Sequence, residues 1–174
     1  MRRLLLLRHA KTERPEPGER DRDRKLTERG RADAPIIGAY MAHHRLVPDI
    51  ALVSPATRAE QTWALMATAF RKSPRVVMEQ GLYNAAAQTL IDIIAATDDA
   101  RTVLVVGHNP GMQDLAVQLI ASGDVETRER IKEKLPTCGL VVLDFPFDDW
   151  SRLRPSSGRL DRFVSPRLIG EATD

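Results

Sequence analysis

The chain has a single cysteine, Cys138, in 174 residues, so no disulfide can form within it. That suits a reducing compartment, and the cytoplasm is the expected location. Cys138 itself reads as a small core residue. Aromatic residues are scarce at 5%, too few for a series of rings on which bases could stack. Charge of one sign is also lacking. The net charge is +2, and basic and acidic residues are interspersed, so no basic face for nucleic acid is expected. Long apolar runs are missing as well. Leu4–Leu7 is only four residues long before Arg8, too short for the core of a signal peptide. No stretch approaches the ~20 apolar residues of a membrane span. Neither a nucleic-acid nor a membrane partner is expected.

What is present is ordinary for a soluble globule: 43% hydrophobic and 29% charged residues. The length fits one domain, residues 1–174, able to bury roughly 70% of its unfolded surface. Leu4–Leu7 reads as a buried strand. A charged segment from Lys11 to Lys25, with two prolines and a glycine, reads as a loop or lid. Thr27 can cap a helix through Ala32, Ile36, Ile37, Tyr40 and Met41, with Pro35 expected to kink it or delay its start. Asp49–Val53 is a second strand, after which Ser54-Pro55 opens a helix with Thr62, Leu65, Met66 and Ala69 on one face. Arg75–Met78 is a third strand, and Leu90–Ile94 lies in a helix. Thr102–Val106 is a buried strand, and Asn109-Pro110 starts a helix with Met112, Leu115, Ala116 and Leu119 inward. Val125–Lys134 is a solvated helix or loop. Gly139–Phe145 and Arg159–Val164 read as a strand and a hairpin-like partner. Strands alternating with helices predict an α/β fold: a mostly parallel central sheet with helices on both faces.

In such a sheet ligands bind beyond the carboxyl ends of the strands. Three segments fall there: Arg8-His9 after the first strand, Ser54–Arg58 after the second, and His108 after Thr102–Val106. Taken singly, each has an ordinary structural explanation. Arg58, early in a helix, opposes the helix dipole unless an anion sits there. A helix N-terminus with a guanidinium makes a phosphate site. Arg8 and Arg58 can each offer forked donors to phosphoryl oxygens. His108, if protonated, adds another. His9 can attack through a neutral ring nitrogen if its other nitrogen donates to a backbone carbonyl. A metal site would need carboxylates or further histidines nearby. Arginines flank these histidines instead, and His43 and His44 read as surface residues, so no metal and no cofactor are expected.

These residues resemble a known family. Leu-Leu-Leu-Leu-Arg8-His9-Ala10, Leu26-Thr27-Glu28-Arg29-Gly30, Ser54-Pro55-Ala56-Thr57-Arg58-Ala59-Glu60-Gln61-Thr62 and Val105-Val106-Gly107-His108-Asn109-Pro110 look like the histidine phosphatase superfamily, also called phosphoglycerate mutase-like. The resemblance spans roughly residues 1–120, and the Ser-Pro-x-x-Arg-Ala-Glu-Gln-Thr form is similar to the SixA branch, which dephosphorylates phosphohistidine. It implies His9 as the nucleophile, with Arg8, Arg58 and His108 around the phosphate. It also implies a further basic residue two positions before the Leu-Thr pair, here Arg24. Ala10 stands where the family usually has glycine. Larger members carry a glutamate proton donor in a Leu-x-Glu context, whereas this chain has Leu82-Tyr83-Asn84, with Glu79 out of register. An alkoxide needs a proton to leave, but an imidazole already protonated on its far nitrogen can leave as the neutral ring. The missing acid therefore favours P–N substrates. The expected partner is a protein bearing phosphohistidine, and inorganic phosphate is the product. A small phosphate compound cleaved as an ester, with Glu79 or another acid as donor, and a non-catalytic phosphoprotein-binding module are the alternatives.

Overall fold

The structure, a computed structural model, describes residues 1–173. Its strands are β1 (Arg2–Arg8), β2 (Ile50–Val53), β3 (Arg75–Met78), β4 (Thr102–Gly107), β5 (Ile120–Ser122), β6 (Leu140–Phe145) and β7 (Gly158–Val164). Its helices are α1 (Glu28–His43), α2 (Thr57–Met66), α3 (Ala87–Ala95), α4 (Gly111–Leu119), α5 (Val125–Glu133) and α6 (Pro166–Thr173). The strands form one seven-stranded sheet in the order β3-β2-β4-β1-β6-β7-β5. Strands β3, β2, β4 and β1 are mutually parallel, β6 runs against both its neighbours, and β5 is parallel to β7. This is the mostly parallel α/β sheet expected.

The period-two geometry of a strand sends alternate residues to opposite faces. Leu4 and Leu6 join a core with Leu90, Ile94, Met112, Leu115 and Ile131 from α3, α4 and α5. Leu5 and Leu7 join the other core with Ile37, Met41, Ala59 and Met66 from α1 and α2, against which Ile169 of α6 packs. All four leucines are fully buried, each worth about 1.5–3 kcal/mol of transfer free energy. Helices α1 and α2 cross closely at Gly38, where a Cβ would lie 2.1 Å from the Met66 carbonyl oxygen.

Several local expectations need correction. Pro35 sits inside α1 without delaying its start, which Thr27 sets by accepting from the Gly30 N–H at 3.0 Å. The buried stripe of α1 runs through Ala34, Ile37, Gly38 and Met41, while Ala32 and Ile36 are exposed. Helix α2 begins at Thr57 rather than at Ser54-Pro55, because the Ser54 hydroxyl turns to His108 instead of capping. Val125–Glu133 is a helix, capped by Asp124 accepting from the Thr127 N–H at 2.9 Å. Strand β5 and helix α6 were not anticipated. Cys138 is fully buried as expected, and burial pushes its thiol up to about 12.

Candidate functional site

The sheet register places the three strand-end segments side by side. Arg8 pairs with Gly107, and Val53 with Val106, so β1, β4 and β2 end in one row. The His9 N–H donates to the Gly107 carbonyl at 3.1 Å, and the Ser54 N–H to the Val106 carbonyl at 3.1 Å. The Cys138 N–H reaches the carbonyls of both Arg8 and His9 at 3.0 Å, which pins the end of β1 from the other side. Behind His9, the Ala10 N–H donates to the Thr62 hydroxyl at 3.0 Å, and that hydroxyl donates to the Arg58 carbonyl at 2.7 Å. One threonine thus ties the His9 turn to the helical turn that carries Arg58.

His9, Arg58 and His108 are all buried, at 7%, 4% and 4% exposure, beneath a half-buried Arg8. The two imidazole centroids lie 5.2 Å apart. His9 Nδ1 lies 2.8 Å from the Ala10 carbonyl oxygen, and only a protonated nitrogen can hydrogen-bond there, so Nδ1 donates and Nε2 keeps its lone pair in the neutral ring. Burial drives the His9 imidazole from its ordinary 6.5 down to about 3, helped by His108, Arg58 and Arg8 against the opposing pull of the Ala10 carbonyl. His108 falls to about 4 through burial, with Arg58 and Arg8 adding to the fall and Asp21 opposing it. Both rings are therefore neutral near pH 7. A protonated His108 would need an anion beside it.

His108 Nε2 lies 2.7 Å from the Ser54 hydroxyl. Arg8 Nη1 donates to the Leu135 carbonyl at 3.1 Å, and burial lowers its guanidinium. Among the described residues, the buried side-chain polar atoms without a partner are Arg8 Nε, His108 Nδ1 and Asn109 Oδ1. Such atoms are rare and mark places that need explanation. All of them belong to the ends of β1 and β4.

The Lys11–Lys25 segment closes over this row. It is stapled at its base by a bridge between Thr12 and Leu26 and by the Glu13 N–H donating to the Lys25 carbonyl at 2.8 Å. Gly30 lets α1 approach, since a Cβ there would lie 2.3 Å from the Lys11 carbonyl oxygen. At the segment's tip a 3-10 turn, Asp21–Asp23, docks on the site. Arg58 Nη1 donates to the Asp21 backbone carbonyl at 2.8 Å and Nη2 to its carboxylate at 3.1 Å. Arg24 Nη1 donates to the other carboxylate oxygen at 3.0 Å. The Tyr83 hydroxyl also donates to the Asp21 carboxylate. These donors, Tyr83 first, hold the Asp21 carboxyl down to about 2. Two further donors of Arg24 serve the Glu13 carbonyl and the Thr12 hydroxyl, both at 2.9 Å, so its link to the row runs through Asp21.

Asn84 is exposed, with φ of 50°, a conformation asparagine tolerates. Its neighbour Tyr83 faces inward instead, edge-on to His108 at 5.6 Å and 5.8 Å from the Arg58 guanidinium carbon. Glu79 is turned to its own backbone, accepting from the Gly81 N–H at 3.2 Å. Among the described residues no three or more His, Cys, Asp and Glu side chains gather as a metal site requires. Ser54, Thr62, Asp21 and Tyr83 were not assigned to the site from sequence. Ser54 and Thr62 lie within the Ser54–Thr62 motif, which was the available signal for them, whereas Asp21 and Tyr83 carry none.

A model of the histidine phosphatase superfamily (branch 1) matches residues 4–87. A protein of Agrobacterium tumefaciens, provisionally assigned as phosphohistidine phosphatase SixA, has a solved structure that is 36% identical. It superposes with a TM-score of 0.81 over 95% of this chain and 98% of its own. A second such provisional SixA, from Nakamurella multipartitia, is 26% identical with a TM-score of 0.83, covering 95% of this chain and 96% of that one. An uncharacterized protein of Mycobacterium tuberculosis is 38% identical over 164 residues, which is 92% of this chain and all of the relative. No helix among the described residues is long and apolar enough to cross a membrane. With its motifs in one row at the strand ends and relatives of this likeness along nearly its whole length, the chain belongs to the histidine phosphatase superfamily.

Proposed function

We propose that the protein is a metal-independent phosphatase that removes phosphate from phosphohistidine in partner proteins through a covalent phosphohistidine on His9. The observation that carries this reading is the His9 ring itself. Its Nδ1 is engaged by the Ala10 carbonyl at 2.8 Å, and burial keeps the ring neutral, with a pKa of about 3. Nε2 is thereby a lone-pair nucleophile at physiological pH.

His9 Nε2 attacks phosphorus, the bond from phosphorus to the partner's ring nitrogen breaks, and the partner's imidazole leaves. Arg8 Nε, buried without a partner, and the Arg58 fork stabilise the phosphoryl oxygens. The Ser54 hydroxyl accepts from the Ala56 N–H at 3.3 Å and donates to His108 Nε2. This leaves the ring proton of His108 on the orphaned Nδ1, a donor for the same oxygens. Water then attacks the phosphohistidine, the bond to Nε2 breaks, and inorganic phosphate departs with His9 restored. Arg24 joins this anion pocket once Asp21 releases it.

The preference for a P–N bond is supported by the placement of the candidate acids. Glu79 faces its own turn, Asn84 cannot donate to a leaving alkoxide, and Asp21 is ionised, with a pKa of about 2. A protein substrate is supported by a cleft of about 690 Å³ that adjoins Arg8 and whose lining is net basic, with Lys11, Arg29, Arg130, Lys134 and Arg167 against Asp33 and Glu171, a face that suits an acidic partner. The test compares phosphohistidine protein with small phosphate esters in the presence of chelator, with mass spectrometry of the acid-labile phosphoenzyme. Phosphate on His9 and faster release from phosphohistidine are expected. Faster ester hydrolysis, loss of activity in chelator, or phosphate on another residue would each overturn the corresponding part.

A further inference from the structure

The donors that would bind phosphate are gathered around a carboxylate. Asp21 accepts from both terminal nitrogens of Arg58, through its carbonyl at 2.8 Å and its carboxylate at 3.1 Å. It also accepts from Arg24 at 3.0 Å and from the Tyr83 hydroxyl. These donors come from α2, from the lid itself and from the segment after β3, elements with no other reason to converge on one anion. Arg58 is almost wholly buried, its side chain 5% exposed, while the Asp21 side chain is 47% exposed. A fixed cation thus faces a movable anion.

The turn that carries Asp21 is lightly attached. None of residues Asp21–Asp23 is buried. Apart from its contacts with Arg58 and Tyr83, the bonds that fix the turn are local ones to Arg20 and Arg24, plus Arg22 to Gln80 at 3.1 Å on the surface. A phosphoryl dianion arriving at Arg58 would meet the Asp21 carboxylate as a like charge at close range, which disfavours both staying. The half-exposed carboxylate can turn out to water, and the phosphoryl group on His9 cannot.

We propose that Asp21 is the resident anion of the phosphate pocket: the incoming phosphoryl group displaces it from Arg58, and its return expels inorganic phosphate. This rests on Arg58 being a phosphate ligand. Its consequence is a weaker hold on product. Without a competitor, two arginines and a histidine would retain a dianion and slow each round of turnover. With one tethered beside Arg58, release is assisted by a group whose effective concentration never falls.

The experiment is calorimetric titration of inorganic phosphate into the wild-type protein, Asp21→Asn and Tyr83→Phe. Asparagine keeps the size and the backbone carbonyl but removes the charge, so phosphate should bind about tenfold more tightly to Asp21→Asn. Phosphate should inhibit that variant at correspondingly lower concentration. Tyr83→Phe removes the hydroxyl clamp and should tighten phosphate binding by a smaller factor. If Asp21 only scaffolds the lid, its loss frees the turn and Arg24 with it, and phosphate binding weakens or stays level. That result overturns the inference while leaving the wild-type pocket intact. Absence of phosphate binding by the wild-type protein would overturn it together with the reading on which it rests.

Discussion

Acidifying the protein from pH 7 to pH 5 should cost stability through His9 itself. In the unfolded chain this imidazole has its ordinary pKa of 6.5, so it takes up most of a proton over that interval. In the folded protein, at about 3, it takes up almost none. The unfolded state then binds more protons, and stability falls as pH falls. The whole shift corresponds to about 5 kcal/mol at about 1.36 kcal/mol per unit, reached only below pH 3. By pH 5 the loss is about 2 kcal/mol. His108, lowered to about 4, contributes a similar loss of about 2 kcal/mol over the same interval. The Asp21 carboxyl, held down to about 2, loses its contribution only as the pH falls through the ordinary carboxylate range toward 2, so its effect is separate. Urea unfolding at pH 7, 6 and 5 on the wild-type protein, His9→Asn and His108→Asn measures each share. Each variant should lose about 2 kcal/mol less than the wild-type protein between pH 7 and pH 5. An equal loss in the wild-type protein and His9→Asn would mean that His9 is charged or open to water in the folded state. The neutral nucleophile would then have to be given up.

Three substitutions test the supports of the site and of the sheet. Thr62→Val keeps the shape but leaves the buried Ala10 N–H without its 3.0 Å acceptor. It should cost about 1–3 kcal/mol in urea unfolding and lower kcat by loosening the turn that carries His9. Ser54→Ala removes the hydroxyl 2.7 Å from His108 Nε2. Turnover should fall on the order of tenfold or more through misplacement of the ring, with kcat affected more than KM. Asp144, 3% exposed on β6, receives Arg3 at 2.7 and 3.0 Å and Arg159 at 3.1 Å. Because both arginines retain some access to water, at 28% and 59%, Asp144→Ala should destabilise by about 2 kcal/mol, less than a fully buried pair would lose. Turnover at low temperature should be preserved, since Arg3 and Asp144 lie at the opposite end of β1 from His9.

The parts of the fold that were legible in the sequence are those set by local pattern. Four leucines in a row can satisfy both faces of a covered parallel strand, and β1 does so with all four fully buried. Such a strand must end at the ligand side of the sheet, so Arg8, His9, Arg58 and His108 could be gathered on paper from strand ends alone. Elements whose signal is long-range were not legible. Strand β5 is three residues long and exists by pairing with β7. The stripe read for α1 holds at Ile37 and Met41 but takes in the exposed Ala32 and Ile36 and omits Ala34 and Gly38, because the sequence does not show which side of the helix α2 packs against at Gly38. Pro35 removes one hydrogen bond from α1, to the Arg31 carbonyl, but the helix starts where Thr27 caps it.

The same distinction separates the proposed reacting residues from those that surround them. His9 and His108 reveal themselves only together, because three strand ends bring two imidazoles and two arginines to the edge of the sheet where ligands bind. Asp21 is one of many carboxylates in a charged loop, and its meeting with Arg58 spans 37 residues and with Tyr83 spans 62. No periodicity or spacing encodes such a contact; only the lid's closure over the row creates it. That closure also changes what Asn84 means. At that position the chain lacks an acid that could serve a leaving alkoxide, and one residue earlier it presents a tyrosine that holds a different carboxylate, already ionised, against Arg58. If Arg58 binds phosphate as proposed, the Asp21 carboxylate is placed to compete for it, whereas a proton donor would have to be held neutral. A leaving group that needs no proton suits such a site.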